Sequence, residues 1–254
     1  QYVLDLEDRN LEDIQFELSP KGQLICGGLF GEADARGVDG TFLIRYDTKS
    51  EELISETYSP FDRSILVEMV GEKGADDEVS PTTYVLDRMI MKGDGGVVLV
   101  AESYYTRTVS SYSNGQWTYR TYFYYNDILV ASLDPEGETE WYELIEKRQV
   151  SSGITTFSSY KLMVLPDRLC FIYNDSRKNA GTDNDKIYNF SGGKNAVVSM
   201  VNIGLDGRQE KEFLINSKDE GVFFIPFLSF QYNSQEMLLR AEKRNKSRYA
   251  RLTF

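Results

Sequence analysis

The densest store of reactive and recognition side chains lies between Ser103 and Asn126. There Tyr104, Tyr105, Arg107, Tyr112, Trp117, Tyr119, Arg120, Tyr122, Phe123 and Tyr125 crowd a stretch otherwise filled by Ser and Thr. Rings with a polar tip and guanidinium groups offer large contact area together with directional hydrogen bonds, the chemistry of a protein-binding surface. The same rings would serve a carbohydrate platform, or a long hairpin folded onto its own domain with Tyr and Thr as cross-strand pairs. Asn114-Gly115 marks a two-residue type I′ turn, which needs positive φ at both positions. That turn sets Tyr112 opposite Trp117, Ser110 opposite Tyr119, Thr106 opposite Phe123 and Tyr104 opposite Tyr125, all on one face. Tyr105, Arg107, Val109, Arg120, Tyr122 and Tyr124 fall on the other. Beyond the core pair Ala101 and Ile128, some ten residues per strand at ~3.3 Å each would project on the order of 30 Å.

The catalytic inventory is thin. With no histidine in 254 residues, Ser-His-Asp and Cys-His arrangements and every His-bearing metal site are excluded. Carboxylate chemistry remains. The hairpin register sets Glu102 opposite Asp127, a like-charge pair that a bulge, solvation, a shared proton or a bound cation would relieve. Asp183-Asn184-Asp185 begins like a calcium loop but lacks the Gly and Glu expected later in it. Ser132 to Trp141 is a loosened, over-long version of the Asp-box turn of sialidase-type propellers, where the box is structural. No catalytic residue, metal or cofactor is therefore expected.

A net charge of −12 argues against a nucleic-acid partner, since phosphate binding needs Lys and Arg to displace counterions. No apolar run reaches the ~18 residues of a membrane helix, and the longest, Gly221 to Phe230, is too short. The chain opens at Gln1 without a Met, so an upstream segment, a signal peptide included, is an expectation. Cys26 and Cys170 occupy matching inner strands of two repeats and are expected as buried free thiols.

The elements that position these residues recur. A pattern of apolar strand, Gly- or Asp-marked turn and second apolar strand returns at Asp13, Tyr84, Phe157 and Val222. Its inner strands are Gln23 to Gly27, Gly96 to Glu102, Arg168 to Tyr173 and Glu236 to Glu242. Strands ending in Asp47, Asp134 and Asp206 precede turns in which the carboxylate meets N–H groups two residues on. The reading is all-β: a propeller-like array of about four antiparallel four-stranded blades, a complete small ring or an arc of a larger propeller. Its repeats cover about 13–60, 84–149, 157–217 and 222–254 of a single domain. The last repeat has three strands, and Tyr2 to Leu6 either completes it or belongs to a preceding blade. A helix is expected from Phe61 to Val70 and stopped by Gly71. The acidic stretch Gly74 to Glu78 is expected as a solvated loop, and Ser176 to Lys194 as a second polar loop.

Leu4 to Arg9, Phe61-Asp62-Arg63, Tyr124 to Ile128, Lys147 to Ser151 and Arg251 to Phe254 resemble a family of exported, β-propeller-like proteins of Bacteroidota. The resemblance implies the C-terminal part of a longer protein at the periplasm or cell surface. It implies no chemistry. The function expected is a non-enzymatic interaction or scaffold module of the cell envelope, holding a protein partner or a larger envelope complex through the Tyr/Trp-rich hairpin. The alternative is a glycan-binding or carboxylate-based glycan-active module. Carboxylates gathered in a concave pocket would mark an enzyme, and a broad aromatic patch an interaction module.

Overall fold

A computed structural model describes residues 6, 8–33, 36–180, 186–192, 196–216, 222–243 and 246–254. Most of the expected opening strand and the Asp183-Asn184-Asp185 triplet lie outside them. The chain divides into two compact units, Gln1–Ser103 with Ile128–Ile145, and Tyr104–Asp127 with Glu146–Phe254.

In the first unit, β1 (Arg9–Leu18), β2 (Gln23–Glu32), β3 (Gly40–Asp47) and β4 (Glu52–Pro60) form an antiparallel meander in sequence order. After α1 (Arg63–Asp76) comes a second sheet in the order β5 (Tyr84–Met91), β6 (Val97–Ser113), β7 (Gln116–Leu133) and β8 (Thr139–Ile145). Strand alternation makes the core: Ile25 and Leu43 from the first sheet meet Val97, Leu99, Ala131 and Leu133 from the second. Gly27 leaves room here for the Met89 thioether, which a Cβ at that position would displace. Side chains of β1 continue the hydrogen bonding onto β5. Leu86 N–H donates to Asp13 Oδ2 at 2.8 Å, Met89 N–H to Gln15 Oε1 at 2.9 Å, and Gln15 Nε2 to Asp87 O at 2.8 Å.

The expected Asp turns are present in detail. Asp47, Asp134 and Asp206 accept from Lys49, Glu136 and Arg208 N–H respectively, each two residues on. Their role is to close hairpins, the over-long Asp-box-like segment at Ser132 to Trp141 included.

The helix departs from expectation. Asp62 caps it by accepting from Ile65 N–H at 3.0 Å, but Gly71 (φ 80°, ψ 166°) kinks it without ending it. The helix resumes through Asp76, so Gly74 to Asp76 are helical where a solvated loop is expected. Arg63 spans the kink to Glu72 at 2.8 Å and Asp76 at 2.7 Å, and Ala75 is buried on the far side.

In the second unit, β9 (Gln149–Ser152) pairs with β7 at Tyr122 to Tyr125. The second sheet thus gains a fifth strand that the four-strand repeat did not anticipate. β10 (Tyr160–Val164), β11 (Arg168–Ser176), β12 (Ala196–Gly204) and β13 (Gln209–Asn216) make the third meander. A 3-10 turn at Arg177–Ala180 follows β11 inside the stretch expected as a loop. In the last sheet β14 (Phe223–Phe224) and β15 (Phe230–Asn233) both line one side of β16 (Glu236–Lys243), and β17 (Lys246–Thr253) lines the other. Within each unit, antiparallel meanders packed face against face give the propeller-like, all-β organisation that the repeats predict. Cys170, Ile172, Val198 and Met200 of the third sheet pack on Phe224, Met237 and Leu239 of the fourth. Both cysteines are buried free thiols, and burial pushes each up to about 12.

Neighbours on β11 give opposite predictions. Buried Asn174 donates to Phe157 O at 2.9 Å and Phe224 O at 2.6 Å and accepts from Phe224 N–H at 3.2 Å. Asn174→Ala therefore strands two buried backbone groups of Phe224 and the half-buried Phe157 carbonyl, and should cost about 2–4 kcal/mol in urea unfolding. The Tyr173 hydroxyl is buried without a hydrogen-bond partner among the described residues. Tyr173→Phe should change stability by less than about 1 kcal/mol in either direction. A larger loss would show that the hydroxyl is satisfied in solution.

Candidate functional site

The hairpin follows the predicted register. Asn114 (φ 51°) and Gly115 (φ 78°) make the turn. On one face Tyr104 meets Tyr125 with ring centroids 4.8 Å apart, Thr108 meets Thr121 at 2.9 Å, and Tyr112 meets Trp117 with centroids 5.1 Å apart. On the other, Tyr105 stacks on Tyr124 at 4.5 Å with ring planes 7° apart, and Ser111 meets Thr118 at 2.7 Å. Each ring pair consolidates the two strands by roughly 0.5–1 kcal/mol.

The hairpin divides into a fixed base and an exposed end. Tyr104, Tyr122, Phe123 and Tyr125 are half-buried, the last three on residues that β9 pairs. Beyond them Tyr105, Arg107 and Arg120 are exposed, and Tyr112, Trp117 and Tyr119 keep 62%, 60% and 70% of their surface in solvent. The expected ten-residue contact surface therefore separates into a distal aromatic end and a base already engaged by the chain itself. Sequence reasoning missed β9, because a four-residue strand of Gln, Val and Ser carries almost no periodic signal.

The base is held by polar groups that sequence reasoning also missed. Lys147 is fully buried and its Nζ donates to Tyr125 O at 2.9 Å, while its N–H donates to Asp127 Oδ1 at 2.9 Å. Gln149, also fully buried, donates to Asn174 O at 2.7 Å and accepts from Ser159 N–H at 2.6 Å. A buried ammonium is costly unless hydrogen-bonded, so these contacts restrict the base to one geometry. Burial pushes the pKa of the Asp127 carboxyl above its ordinary value, against the opposing Lys147 N–H bond and the nearby Arg148 and Lys147 charges.

Carboxylates do gather elsewhere. In the first unit a pocket of about 380 Å³ is lined by Asp62, Glu68, Glu138, Glu140, Trp141 and Tyr142, among others. Two of these acids are structural anchors. The Ser64 hydroxyl and Ile65 N–H hold Asp62 below its ordinary value, and Lys92 and Ser132 do the same for Glu140. A general acid for glycoside cleavage requires the opposite shift. Among the described residues no group of three or more His, Cys, Asp or Glu side chains has metal-binding geometry.

No protein-family model matches the chain, and no curated protein matches it in sequence. Among solved structures it is similar to a B. subtilis levansucrase variant and to a levansucrase variant complexed with sucrose. Each match has 8% identity and a TM-score of 0.27, covering 98% of this chain and 85% of the other. A Bacillus subtilis levansucrase variant in complex with oligosaccharides matches at 8% identity and a TM-score of 0.28, covering 99% and 86%. Likeness at that level gives no basis for transferring a site.

The raised pKa of Asp127 makes a pH prediction. A carboxyl with a higher value folded than unfolded binds more protons in the native state, so its ionisation removes stability as pH rises from the unfolded value through the folded one. Asp127→Asn keeps an acceptor for Lys147 N–H and removes that titration. The stability of the wild type relative to Asp127→Asn should therefore fall between about pH 4 and pH 7. Urea midpoints measured at both pH values check this, and a difference that rises with pH would contradict it.

Proposed function

We propose that this chain is a non-enzymatic protein-interaction module of the cell envelope, and that the distal half of the β6–β7 hairpin is its contact surface. One observation carries the reading: Tyr112, Trp117 and Tyr119 stand in solvent at the end of a hairpin whose base is fixed by Lys147, Gln149 and β9. Exposed large rings on a fixed support favour binding, because little conformational freedom is left to lose on association. Arg107 and Arg120 place cations beside the rings on a chain of net charge −12, which favours an acidic or hydroxyl-rich partner surface. The periplasmic or cell-surface setting, with a partner belonging to a larger envelope complex, rests on the resemblance to exported Bacteroidota proteins.

A second reading has its own observation. The pocket at Trp141 and Tyr142 combines aromatic rings with Glu138 and Glu140, a lining that suits the hydroxyls and apolar faces of a sugar. Saturable heat of binding with an oligosaccharide, abolished by Trp141→Ala, would support a glycan-binding module.

The main reading is tested on the partner retained by the intact protein during native purification and then made separately. Trp117→Ala and Tyr119→Ala should each weaken a titration with it by about thirtyfold, the loss of ~2 kcal/mol typical of a central aromatic. Their melting temperatures should stay at the wild-type value. Unchanged affinity would exclude the hairpin as the binding site. A sharp fall in melting temperature would assign the rings to the protein's own packing.

A further inference from the structure

The last sheet has an edge strand with no partner on its outer side among the described residues. Among the described residues β17 pairs with β16 alone, and it is the third strand abreast in a sheet whose fully described counterparts, β1–β4 and β10–β13, have four. Its eight residues, Lys246–Thr253, are exposed except for half-buried Leu252. An edge of this length presents a row of N–H and C=O groups able to pair with another extended chain.

The charge along this edge is opposite in sign to that of the protein. Lys246, Arg248 and Arg251 lie on β17 with no acidic residue between Lys246 and Thr253, in a chain of net charge −12. Arg251 is neutralised by an ion pair with Glu236. Lys246 and Arg248 have no ion pair among the described residues, and Lys246 stands directly across from Lys243 in the β16–β17 register. Like charges set opposite each other weaken a strand pair. The face that buries Met237 and Leu239, with Leu252 packed against them, therefore ends in the cations Lys243, Lys246 and Arg248.

We propose that β17 is a docking edge for an extended, acidic polypeptide segment, which adds as the fourth strand and sets carboxylates against Lys246, Lys243 and Arg248. Backbone pairing supplies the binding, and alternate carboxylates supply the selectivity. A second copy of the same strand is a poor occupant. Two β17 strands paired edge to edge about a two-fold axis would gather Lys246 and Arg248 of both copies on one face of the joined sheet and repel. The cations that deter self-association thus leave the edge open to a partner of opposite charge. This surface is separate from the hairpin, and its test is independent of the hairpin reading.

The probe is a synthetic ten-residue peptide alternating Glu with Val or Thr, titrated into the intact 15N-labelled protein. Expected are saturable shifts and slowed hydrogen exchange confined to β16–β17 amides, with at least a tenfold loss of affinity in the Lys246→Glu/Arg248→Glu double variant. The same peptide N-methylated at alternate residues should fail to bind the wild-type protein, a result that does not depend on how the variant folds. Equal binding of the N-methylated peptide would reduce the contact to charge alone and overturn the proposal. So would equal binding of a Lys-for-Glu peptide, or no binding of the acidic one. A response to a sulfated polysaccharide without any to the acidic peptide would also overturn it.

Discussion

Burial of one sheet face against the next is the constraint from which the rest of this structure follows. A four-stranded meander offers apolar residues on alternate positions of each strand, and the face turned to the next sheet needs that sheet to cover it. Ile25 and Leu43 are buried only because Val97, Leu99 and Ala131 cover them, and Cys170, Ile172 and Val198 only because Met237 and Leu239 do. Both pairs of sheets use the same second device, a side-chain amide that bonds the neighbouring sheet's backbone. Gln15 holds the backbone at Asp87 and Met89, and Gln231 brackets Val164 by accepting from its N–H at 2.9 Å and donating to its O at 2.8 Å. The amide group mimics a strand, so outer strands are joined where their backbones cannot pair directly.

The hairpin obeys a different economy. Its distal residues bury little, so its shape depends on cross-strand ring pairs and on the polar lock at its base. Lys147 and Gln149 are unusual choices for fully buried positions, because replacing either by an apolar side chain would leave carbonyl groups such as Tyr125 O and Asn174 O without these donors. Their presence exchanges some stability for a single defined direction of the strands. A binding surface benefits from that exchange, and a purely structural connection between two strands needs only a short turn.

Much of this was legible in the sequence where chemistry is local. Positive φ at Asn114-Gly115 determined the hairpin register, and thereby every facing pair along it. The carboxylates of Asp47, Asp134 and Asp206 determined three turns by the same short-range bonding. Legibility failed where the deciding contact is distant in sequence. Gly71 reads as a helix stop, yet Arg63 reaches across it to Glu72 and Asp76. Gln149-Val150-Ser151-Ser152 has no apolar alternation and became a strand through its pairing with Tyr122 to Tyr125. Nothing local marks Lys147 as a buried residue, and only the fold supplies the carbonyl that holds it. The distinction between a fixed base and an exposed end, on which the candidate site depends, was invisible for that reason.

The central claim is that the distal rings face a partner, and photo-cross-linking in cells producing the protein tests it most directly. A benzophenone amino acid is placed at Tyr119, and in a second protein at Val85, an exposed residue of β5 that serves as the control. The account predicts one discrete cross-linked product from Tyr119 and none from Val85. A product from Val85 alone, or an identical pattern from both positions, would contradict it.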